Sequence, residues 1–199
     1  MTGPRLVLAS ASPRRADVLR QLGLDPVIRP ADVDETYEPG EAPSKHVERL
    51  ARAKADALVV VESDALIIAG DTVVVDGDVV LGKPAGPEEA VEMLLSLSGR
   101  SHVVMSGIAI AGAHGVVSRV VETVVRFREL SAEDAARYVA TEEPLDKAGA
   151  YGIQGLGAAL VTGLEGDYYS VVGFPVVAFV DLLAEAGWRY DFGRLTPTA

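Results

Sequence analysis

Leu6-Val7-Leu8-Ala9-Ser10-Ala11-Ser12-Pro13-Arg14-Arg15 is a short apolar run driving straight into a helix start, the junction from which α/β folds are built. Ser12 suits an N-cap and Pro13 the first helical position. The unpaired N–H groups and positive dipole end of such a helix favour an anion. Arg14 and Arg15 in its first turn are misplaced cations, and an anion held between them removes the conflict. A phosphate fits best; a solvated basic turn is the plainer alternative.

Outward from that junction the pattern keeps alternating. Gly23 ends the first helix near Leu22, and Pro26 to Arg29 reads as a short strand before an acidic, irregular stretch from Asp32 to Glu41. Pro43 opens a helix to about Leu58. Ala65 to Ala69 reads as a buried strand ending at Gly70-Asp71-Thr72, and Val73 to Leu81 as a hairpin turning at Asp76-Gly77. A helix over about Glu88 to Leu97 precedes two long β runs, His102 to Ala111 and Val116 to Phe127. Ser131 caps a helix to about Ala140, with Asp134 as the capping-box acid. Lys147 to Gly157 reads as a glycine-rich loop, Ala158 to Gly173 as a hairpin around Glu165-Gly166-Asp167, and Pro175 to Gly187 as a last helix. Two hairpins preclude a purely parallel sheet, so the expected class is α/β with a mixed sheet.

Composition narrows the function. The 199 residues suffice for one large domain or two joined lobes. At 49% hydrophobic and 24% charged the profile is that of a soluble protein, with no run near the ~20 apolar residues that span a bilayer. No signal-peptide core opens the chain. The absence of cysteine excludes disulfide and thiolate chemistry and fits the cytoplasm. A net charge of −11 argues against nucleic-acid and anionic-membrane partners but leaves room for a polyanion held by a few convergent cations. Of the 18 basic residues only four are lysine, and Lys54, Lys83 and Lys147 stand inside motif-like segments.

The residues suited to chemistry follow the same theme. Asp71, after a buried strand, suits a divalent metal or a general base; standing alone it reads better as a strand-ending Asx turn. Glu35 is a candidate second carboxylate, although acidic loops are usually just solvated. Gly82-Lys83-Pro84 holds a lysine in a loop where glycine permits close ligand approach. Lys54 is either a snorkelling surface side chain or a cation aimed into a cleft. Gln154 offers an amide that can both donate to and accept from a base edge. His46, His102 and His114 lack partners at zinc-ligand spacing. A polyphosphate with Mg²⁺ or Mn²⁺ accounts for the two arginines, two lysines and two carboxylates together.

Taken in order, these segments resemble the Maf family of nucleoside triphosphate pyrophosphatases, named for septum formation. The likeness also takes in Val33-Asp34-Glu35, Arg49-Leu50-Ala51-Arg52-Ala53-Lys54-Ala55, Ser98-Gly99-Arg100 with His102, Glu143 to Gly155 and Gly166 to Pro175, and so covers essentially the whole chain. Met105-Ser106 is one departure, without expected functional consequence. The resemblance implies one domain over residues 1–199, made of two lobes around a substrate cleft, as in the inosine triphosphate pyrophosphatases. It implies metal-dependent cleavage between the α and β phosphates, with Asp71 as general base and Glu35 beside it as metal ligand. Ser10, Arg15, Lys54 and Lys83 fall at its phosphate-binding positions. Arg14, Thr72 and Gln154 match the branch acting on dTTP and UTP, not the 7-methyl-GTP branch. The expected partner is a nucleoside triphosphate; a homodimer, house-cleaning of modified nucleotides and a link to cell division stay open. Two other readings compete, a nucleotide-sensing regulator of septum formation and a broad purine house-cleaning enzyme.

Overall fold

The computed structural model describes residues 3–198. Six α-helices and nine strands alternate along them in a mixed sheet, the expected class. No helix among these residues is long and apolar enough to cross a membrane. The chain forms two compact units: one comprises the chain through Asp71, Ser106–Val121 and the chain from Gly173; the other comprises Thr72–Met105 and Glu122–Val172. The sheet order is β2-β1-β3-β5-β6-β7, with β4 paired to β3.

In the first unit, β1 (Arg5–Leu8) lies parallel to both β2 (Val27–Ile28) and β3 (Ala65–Asp76), with Val7 opposite Val27 and Ile67. Helix α1 (Pro13–Gln21) follows β1 at once, as Ser12-Pro13 predicts, and stops where Gly23 turns to a φ of +75° that a side chain resists. Helix α2 (Pro43–Val59) lays Ala51, Ala55 and Leu58 against Ala65, Ile67 and Ala69 of β3 and Ala109 and Ala111 of β5 (Ser101–Gly112). The i, i+4, i+7 spacing gives the helix one apolar face, and the alternating strand residues give the sheet another. Alanine on both sides lets helix and sheet approach closely. At Gly107 no side chain fits at all, since a Cβ would collide with the Val47 carbonyl. Helix α6 (Val176–Glu185) ends at Gly187, and an unforeseen hairpin of β8 (Trp188–Tyr190) and β9 (Leu195–Pro197) closes the unit.

The second unit packs α3 (Pro87–Leu97) and α4 (Ala132–Val139) around Val74, Val104, Val125, Phe127 and Tyr151. The capping box at the start of α4 forms as expected: Asp134 N donates to Ser131 Oγ at 3.0 Å and the Asp134 carboxylate accepts in return. Strand β7 (Val161–Glu165) runs antiparallel to β6 (Gly115–Phe127).

Four expectations need correcting. Gly70-Asp71-Thr72 does not end a strand: β3 continues through it to Asp76, so Asp71 stands mid-strand and is no strand-ending turn. The β3–β4 turn uses Gly77-Asp78, one residue later than expected, because β4 (Val79–Leu81) pairs Asp76 with Val79. No hairpin forms around Glu165-Gly166-Asp167. There the Asp167 carboxylate accepts from Tyr169 N at 2.8 Å and starts the short helix α5 (Tyr168–Val172), an Asx cap competing with a turn. The Lys147–Gly157 stretch is also less irregular than a loop, for it includes 3-10 turns at Ala148–Ala150 and from Gly155.

Candidate active site

Helix α1 starts at Pro13, as the sequence suggests. Ser12 has an extended backbone at the capping position, but its side chain makes no capping bond, and the first turn contains no acid. Ser10 Oγ lies beneath it and accepts from Ser12 N at 3.2 Å and from Arg15 Nη1 at 2.8 Å. Arg15 Nε donates to the Gly173 carbonyl at 2.9 Å. Both Ser10 and Arg15 are buried, whereas Arg14 is half-buried. Burial lowers the Arg15 pKa from its ordinary value; Asp71 and Glu35 pull it up and Arg14 lowers it further. The glycine at 70 makes room for this guanidinium, because a Cβ there would lie 3.4 Å from Arg15 Nε and 3.0 Å from the Gly107 carbonyl.

One turn of α2 brings Lys54 to the same unit's carboxylates. Its Nζ is 2.8 Å from Asp71 Oδ1 and 2.6 Å from Glu35 Oε1. The lysine side chain is only 8% exposed and Asp71 15%, while Glu35 is 61% exposed. A buried ammonium needs compensating charge, and two carboxylates supply it. Lys54 thus bridges the candidate base and the candidate metal ligand. Among the described residues no three His, Asp or Glu side chains gather as a metal site. The pair Glu35 and Asp71 nonetheless converges on one cation, here an ammonium, and such a pair suits an ion that takes its other ligands from phosphate and water.

Glu35 belongs to the acidic, irregular stretch between Asp32 and Glu41. Arg49 on α2 donates through Nη2 to the Thr36 carbonyl at 3.0 Å and grips Glu41 through Nε and Nη2 at 2.7 and 2.8 Å. His46 Nδ1 is 2.9 Å from the same Glu41 carboxylate, and the Tyr37 ring stacks on His46 at 3.5 Å. Arg49, above all, pushes the Glu41 pKa down to about 2, and burial followed by the Asp71 charge pushes Tyr37 up to about 12. Glu41, His46 and Arg49 were missed as supports. The spacing of His46 and Arg49 on α2 was visible, but the folded-back loop that they hold through Glu41 was not.

The remaining predicted residues belong to the second unit. Thr72 follows Asp71 on β3 and is half-buried. Lys83 is exposed in the loop after β4, where the preceding Gly82 carbonyl accepts from Gly149 N at 3.0 Å. Gln154 is half-buried at the N-cap of the 3-10 turn Gly155–Leu160. Below this loop His102 Nε2 lies 2.8 Å from the Tyr151 hydroxyl, and Phe127 meets both rings edge-on. Burial lowers the His102 pKa to about 4.

The chain is 50% identical over 187 residues to a dTTP/UTP pyrophosphatase of Moorella thermoacetica, covering 92% of this chain and 95% of that one. It is 48% identical over 184 residues to the dTTP/UTP pyrophosphatase of Symbiobacterium thermophilum, covering 92% and 95%. The Shewanella oneidensis dTTP/UTP pyrophosphatase is 46% identical over 191 residues, with coverage of 92% and 98%. A solved structure, that of the Staphylococcus aureus Ham1 protein, superposes over 79% of each chain with a TM-score of 0.46 at 18% identity. The model of the Maf-like protein family matches residues 5–186. With nearly the whole chain matched by that model, and with relatives at this identity along almost their full length, the chain belongs to the Maf-like protein family.

Proposed function

We propose that this chain hydrolyses dTTP and UTP to the nucleoside monophosphate and pyrophosphate. The observation that carries the reading is the set Asp71–Lys54–Glu35 in the same unit as the buried Ser10–Arg15 pair. Asp71 supplies a carboxylate oxygen for the proton of an attacking water. Arg15, Ser10 and the N-terminal turn of α1 bind phosphate oxygens, and Lys83 adds a flexible cation from its exposed loop. Lys54 orients Asp71 through its ion pair and would exchange one anionic partner for another when a phosphate arrives. Glu35 and Asp71 would hold a Mg²⁺ or Mn²⁺ ion; when bound, such an ion neutralises charge at the phosphoryl oxygens. Arg14, Thr72 and Gln154 discriminate the base. A site built to hydrogen-bond one base edge rejects ligands that leave its polar groups unpaired. The reading includes a cytoplasmic setting and allows a homodimer.

A panel of nucleoside triphosphates with Mg²⁺ or Mn²⁺, scored for pyrophosphate against orthophosphate, tests it. dTTP and UTP should give monophosphate and pyrophosphate, and excess chelator should abolish turnover. Orthophosphate release, or full activity in chelator, overturns the mechanism; a preference for 7-methyl-GTP overturns the base assignment alone. Tight nucleotide binding without turnover would instead favour a sensor.

A further inference from the structure

Gln154 can do its proposed work only if something holds it. A glutamine amide presents a donor at one end and an acceptor at the other, and turned over it suits cytosine as readily as thymine or uracil. Discrimination therefore depends on how firmly its backbone is fixed. In this chain the backbone around Gln154 is gathered by one carboxylate. Glu143 Oε2 accepts from Leu156 N at 2.9 Å, and Oε1 accepts from Gly157 N and from the Tyr138 hydroxyl, both at 2.9 Å. The Tyr138 oxygen in turn accepts from Gly152 N at 3.2 Å. Bonds to residues 152, 156 and 157 thus bracket Gln154 on both sides.

The packing leaves the loop no slack. Gly155 adopts a φ of +67°, and a Cβ at that position would lie 2.6 Å from Glu143 Oε2. A Cβ at Gly157 would strike the Gly152 carbonyl and the Tyr138 hydroxyl. Lys147, the motif lysine without a phosphate role, is used locally: Nζ donates to the Glu143 carbonyl and to Asp146 Oδ1, and its stem lies against Gly152. Burial raises the Glu143 pKa, but the two backbone N–H groups, Tyr138 and Lys147 outweigh it and leave the group below the ordinary carboxylate value. The carboxylate is thus ionised, an acceptor at both oxygens, at neutral pH.

We infer that Glu143, with Tyr138, is the positioning pair that sets pyrimidine discrimination by fixing the Gln154 loop. The inference rests on Gln154 reading the base. Glu143 touches no reacting atom in this scheme; it acts through Gln154.

The test compares kcat/KM for dTTP and dCTP in wild type, Glu143→Gln, Gln154→Ala and the double variant. A glutamine at 143 can accept at only one end, so one or more of the three bonds is lost. The dTTP-to-dCTP ratio should fall about tenfold in Glu143→Gln, as expected when a reading group is misplaced by a distant support. It should fall no further in the double variant than in Gln154→Ala. Hydrogen exchange at the Leu156 and Gly157 amides should quicken in Glu143→Gln without nucleotide present. Tyr138→Phe, which removes only the hydroxyl, carries the same test with a smaller change if Glu143→Gln fails to fold. An unchanged ratio, additive losses in the double variant or unaltered amide exchange overturns the inference while Gln154 keeps its role. An unchanged ratio in Gln154→Ala alone overturns the base-reading role and this inference with it.

Discussion

In the first unit three ionisable side chains of the site are rooted in regular elements, Arg15 in α1, Lys54 in α2 and Asp71 in β3, and only Glu35 stands in a loop. In the second, Lys83 and Gln154 stand in connections between elements. The two lysines show the contrast most plainly. Lys54 is buried and bonded to two carboxylates, whereas Lys83 is exposed. Bond-breaking needs reacting groups held to within fractions of an ångström, which helices and strands provide through their own ladders. Recognition of one base among several can sit on loops, but only where a secondary network restrains them. Glu41–Arg49–His46 and Glu143–Tyr138 are such networks, one in each unit, and each is built on a carboxylate that collects several donors.

The largest expected effect breaks the chemistry on the regular elements. Asp71→Asn should lower pyrophosphate release by about 10²- to 10⁴-fold, the usual loss for a general base. Calorimetric titration should still show dTTP binding, because Ser10, Arg15 and Lys83 are untouched. Near-normal turnover would mean that the rooted carboxylate of the first unit does no chemistry.

Arg15→Ala and Lys83→Ala sharpen the contrast between buried and exposed cations. Both should lose activity. Read from sequence alone, both arginine and lysine look removable without loss of stability; burial changes that for one of them. Arg15→Ala strips the Gly173 carbonyl of its Arg15 donor and leaves Ser10 Oγ with Ser12 N in place of two donors, which should cost about 1–3 kcal/mol in a denaturant titration. Lys83→Ala should stay within about 0.5 kcal/mol of wild type. Equal losses for the two would erase the distinction.

The smallest effect separates the units by pH. His102 has a pKa of about 4 when folded against 6.5 ordinarily, so the unfolded chain takes up its proton first as pH falls. The stability from keeping it neutral is complete above about pH 6.5 and is lost as pH falls toward 4. Glu41 is at about 2 against 4.5, so its contribution is complete above 4.5 and is lost between 4.5 and 2. Melting temperature should therefore begin to fall with acid in the second unit's range. His102→Phe should flatten the upper part of the profile and Glu41→Gln the lower part. A profile flat from 6.5 to 4.5 in wild type would contradict the buried, neutral His102.

Local signals were readable where one residue type has one strong use. Ser12-Pro13, Ser131 with Asp134, Gly23 and Gly187 each mark an element end, and each end falls where expected. The strand through Gly70-Asp71-Thr72 was misread for a physical reason. Glycine and aspartate are poor strand formers, and only the approach of Arg15 and Gly107 explains a glycine there. The supports were illegible because their partners come from far along the chain: Glu143 meets Leu156 and Gly157 thirteen and fourteen residues on, and Lys54 meets Asp71 seventeen residues on. The residue types of the site could be read from sequence; the bonds that aim them could not.

The unbroken course of β3 has a consequence for how such a protein can change. Successive strand residues project to opposite faces, so Asp71 and Thr72 are separated by orientation as well as by assignment. Inserting or deleting one residue upstream within β3 would exchange the two and, at the same stroke, swap Ala65, Ile67 and Ala69 with Leu66 and Ile68 between two buried faces packed for different side chains. Diversification at this point of the chain is thereby confined to substitution. Under the base-reading role proposed for it, Thr72 can be exchanged for another side chain to suit a new base, while the length of the strand, and with it the orientation of the neighbouring carboxylate, is locked by the hydrophobic core.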